Sequence, residues 1–248
     1  MILFLTSSPT GDLNGEFECE GFDNRNGFAD ELRQVWPENA RVLVITAFPE
    51  NRAANEEMYE FFGSTIETSG LSLEAIDLWD IDVLEDENYY SSESLNSYDV
   101  IILGGGHVPT QLEFFRALHL RESIQEFDGI VIGISAGSMD CADVVYAQPE
   151  EEGEAIDPDY ERFAQGLGIT DINILPHYQQ VWDNYVDGLH LYRDITLPDS
   201  MGNSFLALPD GSYVIQLDNE AWVFGRAYSV ENGKMELICR DGEDLRLY

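Results

Sequence analysis

The sequence predicts an α/β fold: a doubly wound, mostly parallel sheet with helices on both faces, followed by an antiparallel β extension. Three observations carry this. Short runs rich in β-branched residues recur through residues 1–134. Amphipathic helical patterns lie between most of them. Beyond about residue 204 the pattern changes to short strands separated by turn dipeptides. All of this is expected to form one domain over residues 1–248, with 204–248 as its β-rich end.

The parallel strands are predicted at Ile2–Thr6, Arg41–Ala47, Ser72–Trp79, Tyr98–Gly104 and Gly129–Ile134. Between the second and third, Ala54, Met58, Phe61, Phe62, Thr65 and Ile66 fall on one helical face, which predicts a helix over Ala53–Thr68. Asn51 suits its N-cap, and Gly70 follows its end. Leu112, Phe115, Leu118 and Ile124 predict a second helix over Thr110–Phe127. The acidic stretch Pro149–Asp159 reads as a loop. The late strands are predicted at Ser204–Leu208, Ser212–Leu217, Ala221–Phe224 and Lys234–Cys239, with Asp210-Gly211 and Asn232-Gly233 as hairpin turns.

Composition narrows the function classes. Forty-eight acidic residues face 12 basic ones, for a net charge of −36, and Lys234 is the single lysine. Such a surface repels nucleic acid and anionic membrane, and it attracts cationic ligands. The bland alternative is an adaptation for solubility. No stretch approaches the roughly 20 apolar residues of a membrane span, and the opening MILFLTSSPT reads as a strand rather than a signal peptide. A cytoplasmic location is expected. Cys19, Cys141 and Cys239 form neither a disulfide framework nor a C-x-x-C pair.

The chemistry centres on Gly133-Ile134-Ser135-Ala136-Gly137, a G-x-S-x-G sequence at the end of an apolar strand. A tight strand-to-helix corner pushes the serine hydroxyl outward, and the glycines leave room for it. Ser135 is therefore the candidate nucleophile, and its base must be one of four histidines. His119 and His190 sit among helix-like residues. His177 follows the proline-stopped strand Ile174-Leu175-Pro176 and so stands at a strand end, where a base would meet Ser135. Gly104-Gly105-Gly106 ends another strand, and a backbone N–H there, with that of Ala136, suits an oxyanion hole. Gly106 and His107 are candidates for substrate contact. Phosphate-loop signatures are absent, as is H-E-x-x-H, and the acidic loop does not match a calcium-binding EF-hand, so no metal is expected.

Taken together, Gly104-Gly105-Gly106-His107, Gly133-Ile134-Ser135-Ala136-Gly137-Ser138 and Ile174-Leu175-Pro176-His177-Tyr178 resemble the peptidase E (alpha-aspartyl dipeptidase) family, a relative of cyanophycinase. The resemblance spans about residues 40–225. It implies a class I glutamine amidotransferase-like fold, with serine in place of the usual cysteine. It also implies hydrolysis of short peptides with N-terminal aspartate, without a cofactor. Separately, a monomer or homodimer acting on a small peptide is expected. Ser135 matches the family's nucleophile and His177 its base; Gly105 and Ala136 match the oxyanion-hole positions. The family's acidic member falls on Glu150, with Glu151 and Glu152 adjacent. Arg193 stands where an arginine would recognise the substrate's aspartate. Two positions depart from the family: His107 stands where asparagine is usual, and Leu175 replaces the asparagine before Pro-His.

Two other readings differ in what they predict. A cyanophycinase-like hydrolase would cleave aspartyl–arginine peptides, whose guanidinium groups suit an acidic surface. A non-catalytic binding protein retaining the fold would bind ligand without acylation of Ser135.

Overall fold

A computed structural model of the chain describes residues 1–86 and 89–248. Five strands make the parallel part of an eight-stranded sheet: β1 (Ile2–Thr6), β2 (Ala40–Ile45), β3 (Leu73–Trp79), β4 (Val100–Leu103) and β5 (Ile130–Ile134). Four β strands pair in smaller units, β6 (Val144–Tyr146) with β7 (Phe163–Gln165), and β9 (Tyr185–Val186) with β10 (Leu189–His190). The main sheet runs β16-β13-β12-β1-β5-β4-β2-β3, where β12 is Tyr213–Leu217, β13 Glu220–Phe224 and β16 Asp244–Arg246. Those last three are antiparallel, continuing the sheet from the edge of β1. A second sheet, β15-β14-β11-β8, combines β8 (Ile174–Leu175) with β11 (Ser204–Ala207), β14 (Ala227–Glu231) and β15 (Lys234–Cys239). The predicted fold class is what forms.

The parallel strands read as continuous apolar runs because both faces are covered. On one face Leu3, Leu5, Leu43, Ile45, Ile101, Leu103 and Val131 pack against Phe114, Phe115 and Leu118. On the other, Phe4, Val42, Val44, Ile102 and Ile132 meet Phe28 and Leu32 of α1 (Phe28–Val35) and Phe62 and Ile66 of α2 (Arg52–Thr68). Successive residues along each strand thus feed opposite layers. Asn51 caps α2 as expected, its side chain accepting from the Ala54 N–H.

Two sequence expectations need correction. The helix expected over Thr110–Phe127 is broken. After the short α3 (Ser92–Leu95), α4 covers Val108–Ala117 and α5 covers Leu120–Ile124. His119 between them takes φ 49°, a left-handed conformation that ends one helix and reorients the next. Asp210-Gly211 is not a hairpin either. The strands it joins, β11 and β12, belong to different sheets, so this turn crosses from one sheet to the other. Asn232-Gly233 does close the β14–β15 hairpin, with φ of 50° and 75° as a type I′ turn requires.

The corner after β5 leads into α6 (Ala136–Met139) and is built by close approach. A Cβ on Gly137 would lie 2.3 Å from the Leu103 carbonyl oxygen, and one on Gly133 would lie 2.7 Å from the Ser138 Cα. The Ser138 hydroxyl donates to the Thr6 carbonyl and accepts from the Thr6 N–H, both at 2.8 Å, and the Ser135 N–H reaches the same carbonyl at 3.0 Å. Ser135 itself is held at φ 52°, ψ −115°. A side chain in such a conformation costs on the order of 1–3 kcal/mol and persists only when its surroundings over-determine it.

Behind the corner, Asp140 is fully buried and neither carboxyl oxygen has a hydrogen-bond partner. Burial pushes this carboxyl well above the usual carboxylate range; Arg116 pulls it back and Glu150 adds to the rise.

Two outcomes are expected. Gly137→Ala should destabilise the protein by about 1–3 kcal/mol or more, because backbone rather than a flexible side chain blocks the methyl; an unchanged urea midpoint would contradict the close approach. For Asp140, a folded-state pKa above the unfolded one means stability that is intact below about pH 4 and drains away as pH rises through the folded value. Asp140→Asn should therefore flatten that decline in urea unfolding followed across pH. Parallel stability–pH curves for the two proteins would sink this account.

Candidate active site

Ligands of parallel α/β sheets sit beyond the carboxyl ends of the strands. Here four adjacent strands deliver residues to one cavity of about 1010 Å³: Ser7 after β1, Phe48 after β2, Gly105 and Gly106 after β4, and Ser135 after β5. The second sheet supplies the facing wall, where β8 ends at Pro176 and His177. His177 takes φ 54° as it enters α7 (Tyr178–Val181). That turn points its ring at the corner: His177 Nε2 lies 2.8 Å from Ser135 Oγ, across 42 residues of sequence.

The other ring nitrogen, Nδ1, lies 2.7 Å from Asp210 Oδ1. The Asp210 side chain is 0% exposed and fully engaged. Its Oδ1 accepts from the Ser7 hydroxyl at 2.7 Å. Its Oδ2 accepts from the Leu13 N–H at 3.0 Å and from the side-chain amides of Gln179 and Gln180 at 2.8 Å each. The Ser7 hydroxyl in turn accepts from the His177 N–H at 2.7 Å. Burial works to raise the Asp210 carboxyl, but the hydrogen bond and charge of His177, with the Leu13 and Ser7 bonds, hold it below the ordinary value. Asp210 thus remains an anion that fixes which ring nitrogen of His177 carries the proton.

This corrects the expectation for Glu150. The carboxylate at His177 is Asp210, carried by the turn between the two sheets. Glu150 lines the same cavity from a loop tied down by its neighbour Glu154 and makes no hydrogen bond to His177. The Glu154 Oε2 accepts from the Glu150 and Glu151 N–H groups at 2.8 and 2.9 Å, and its Oε1 meets His107 Nε2 at 2.7 Å. Those bonds to backbone and histidine hold the Glu154 carboxyl down against its partial burial. The Glu150 side chain is open to the cavity but ringed by protein. Desolvation raises its carboxyl to about 7, and Glu154 and Glu151 add to the rise against the pull of His107 and His177.

Arg193 is also corrected. It does not line the cavity: its side chain is 64% exposed and paired with the adjacent Asp194 at 2.8 Å. The π-helical turn Leu191–Thr196 buries Leu191, Tyr192 and Ile195, and that leaves Arg193 and Asp194 facing outward. Among the described residues, no arginine or lysine lines the cavity.

The remaining expected residues assemble around Ser135. A Cβ on Gly105 would lie 3.1 Å from the Ser135 Cβ, so the glycine turn runs directly beside the serine. Ala136 opens α6 and is buried. Among the described residues, no hydrogen bond engages the N–H of Gly105 or of Ala136. Gly106 and His107 line the cavity. His107 Nδ1 is bonded to the Thr110 hydroxyl at 2.8 Å, so both its ring nitrogens have partners. His107, Glu151 and Glu154 do bring potential ligand atoms within 4.8 Å of one another, but His107 would have to give up one of these bonds to coordinate an ion. His119 and His190 lie outside the cavity.

Sequence reasoning missed Asp210, Ser7, Gln179 and Gln180. The turn dipeptide Asp210-Gly211 was visible, but as a hairpin signal it concealed the carboxylate. Both glutamines lie just after His177, so their proximity to it was legible and their function in holding Asp210 was not.

Comparison with known proteins places this geometry. No helix among the described residues is long and apolar enough to cross a membrane. No curated protein matches the chain. Among solved structures, a peptidase from an acI-B1 Actinobacterium is similar with a TM-score of 0.63 and 14% identity, covering 98% of this chain and 96% of that one. A Listeria monocytogenes EGD-e protein described as a peptidase E protein is similar with a TM-score of 0.60 and 16% identity, covering 90% of this chain and 96% of that one. At these identities the likeness concerns the fold. The sequence model of peptidase family S51 matches residues 29–232, most of the chain, and on that ground the protein belongs to peptidase family S51.

Proposed function

We propose that the protein is a serine peptidase that hydrolyses short peptides through an acyl-enzyme, with Ser135 as nucleophile, His177 as base and Asp210 as its orienting carboxylate. The observation that carries this reading is the continuous hydrogen-bonded chain from Ser135 Oγ through His177 to Asp210, at 2.8 and 2.7 Å. In the first half-reaction His177 Nε2 takes the Ser135 proton as Oγ attacks the scissile carbonyl. The resulting oxyanion receives hydrogen bonds from the free N–H groups of Gly105 and Ala136. His177, now charged and stabilised by Asp210, protonates the departing amine. Water then repeats the sequence against the acyl-serine and releases the acid.

The preference for N-terminal aspartate, implied by the peptidase E resemblance, requires a cation for the substrate's carboxylate. Arg193 does not serve that purpose from its outward position, and the cavity carries Glu57, Glu150 and Glu151 without a lysine or arginine among the described residues. Those carboxylates favour the aspartyl–arginine alternative over the aspartyl dipeptide.

Ser135→Ala should abolish hydrolysis of a dipeptide panel and labelling by a fluorophosphonate. Wild-type turnover that survives in the mutant would overturn the reading. Asp210→Asn should reduce kcat by about 10⁴ while the fold persists, because the wrong histidine tautomer then faces Ser135. A loss of less than tenfold, in a protein with an unchanged circular dichroism spectrum, would remove Asp210 from the mechanism.

A further inference from the structure

The cavity beside Ser135 has two unlike walls. One is apolar. The Gly104–Gly106 turn that flanks Ser135 is backed directly by it: a Cβ on Gly104 would lie 3.2 Å from the Met58 sulfur, and one on Gly106 would lie 3.0 Å from the Phe48 ring. Phe61 and Phe62 of α2 continue this wall. Phe48 is fixed from below, where the Thr46 hydroxyl accepts from the Phe48 N–H at 2.9 Å and donates to Asn55 Oδ1 at 2.6 Å. Phe48 and Phe61 remain 39% and 48% exposed, so apolar area faces the cavity without a partner. The other wall is anionic. Glu150 and Glu151 reach the cavity from a loop anchored at both ends: Glu154 holds its start, and Asp187 accepts from the N–H groups of Gly153 and Ala155 at 2.8 and 3.0 Å.

We propose that the site selects peptides with a free N-terminal ammonium and a large apolar first side chain, the ammonium facing Glu150 and the side chain resting on Phe48, Met58 and Phe61. This rests on the serine peptidase reading, since it takes the first residue's carbonyl to be the one attacked by Ser135. On that residue, ammonium, side chain and scissile carbonyl share one Cα. A cavity that holds the nucleophile, a carboxylate and an apolar surface together therefore meets all three at once. An N-terminal aspartate meets the same site badly. Its carboxylate would lose water against aromatic rings, with no lysine or arginine among the described cavity residues to receive it and with Glu57, Glu150 and Glu151 lining the same cavity. The aspartyl–arginine reading accounts for the acidic wall and leaves the aromatic one without an occupant. Burial is the main cause that raises the Glu150 carboxyl, Glu154 and Glu151 add to the rise against His107 and His177, and an arriving ammonium would favour its charged form.

The test measures kcat and KM for Phe-Leu, Leu-Leu, Asp-Leu, β-Asp-Arg and N-acetyl-Phe-Leu with wild type, Glu150→Gln and Phe61→Ala. Calorimetric binding of Phe-Leu to Ser135→Ala runs alongside. Phe-Leu should exceed Asp-Leu in kcat/KM by on the order of 10–200-fold. N-acetylation should remove most of the wild-type activity. Glu150→Gln should raise KM for Phe-Leu by on the order of tenfold with kcat little changed, as loss of uniform binding does, and it should narrow the gap to the acetylated peptide. Phe61→Ala, a change at a half-exposed position, should weaken Phe-Leu and spare Asp-Leu. Preference for Asp-Leu or β-Asp-Arg, equal cleavage of the acetylated peptide, or labelling of Ser135 by a fluorophosphonate without cleavage or binding of Phe-Leu would each overturn the proposal while leaving the serine peptidase reading intact. Conversely, if Ser135→Ala binds Phe-Leu but wild type neither cleaves it nor reacts with the probe, the serine peptidase reading falls, and the proposal that rests on it falls too.

Discussion

The backbone of Ser135 is the constraint on which the rest of the site depends. A non-glycine residue at φ 52°, ψ −115° does not stay there by its own preference. It is pinned between neighbours: the Ser135 N–H and the Ser138 hydroxyl share the Thr6 carbonyl at the end of β1, and Gly137 lets α6 lie against the end of β4. Three adjacent parallel strands therefore meet at one corner. Close packing of a sheet buried on both faces supplies the rigidity, and the geometry it imposes lifts one hydroxyl toward the cavity. His177 needs a similar concession, with φ 54° at the end of β8. The two strained residues face each other from different sheets.

Much of this was legible in the sequence, and the parts that were not share a cause. Ser135 and His177 were readable because each ends an apolar strand, so local pattern gives both the element and the direction of the chain at its end. The glycine turn at residues 104–106 was readable for the same reason. Asp210 was not, because its placement follows from which sheet each flanking strand joins. Pairing partners are long-range facts: β11 lies beside β8 and β14, while β12 lies beside β1 and β13. A turn dipeptide between two strands looks alike whether the chain folds back on itself or crosses to another layer. Glu150 failed for the complementary reason. A position relative to Ser135 in sequence suggested it, while Glu154 and His107 fix its loop and it is Asp210 that bonds His177. The division of the long helix at His119 also escaped the apolar periodicity, which runs on past the left-handed residue.

The acidity of the chain is not spread indifferently. Most arginines are engaged in ion pairs with nearby carboxylates, as Arg52 with Asp82, Arg162 with Asp199, and Arg246 with Glu220. Exposed pairs of this kind contribute little to stability. Their more consequential effect is on the field: they occupy the few cations at the surface, and among the described residues no arginine or lysine lines the cavity. The buried carboxylate of Asp210 is compensated instead by neutral donors and one histidine.

The crossing turn at Asp210 has a mechanical consequence. Its carboxylate grips His177 at the edge of one sheet, while Ser7, which bonds both Asp210 and the His177 backbone, extends from the central strand of the other. The three-residue contact therefore works as a gauge of how the two sheets are seated. Any slip between them, from a loosened core or a substitution far from the cavity, lengthens these bonds before it unpairs a single strand. Under rising denaturant or temperature, alignment of the histidine would fade while the sheets themselves still held.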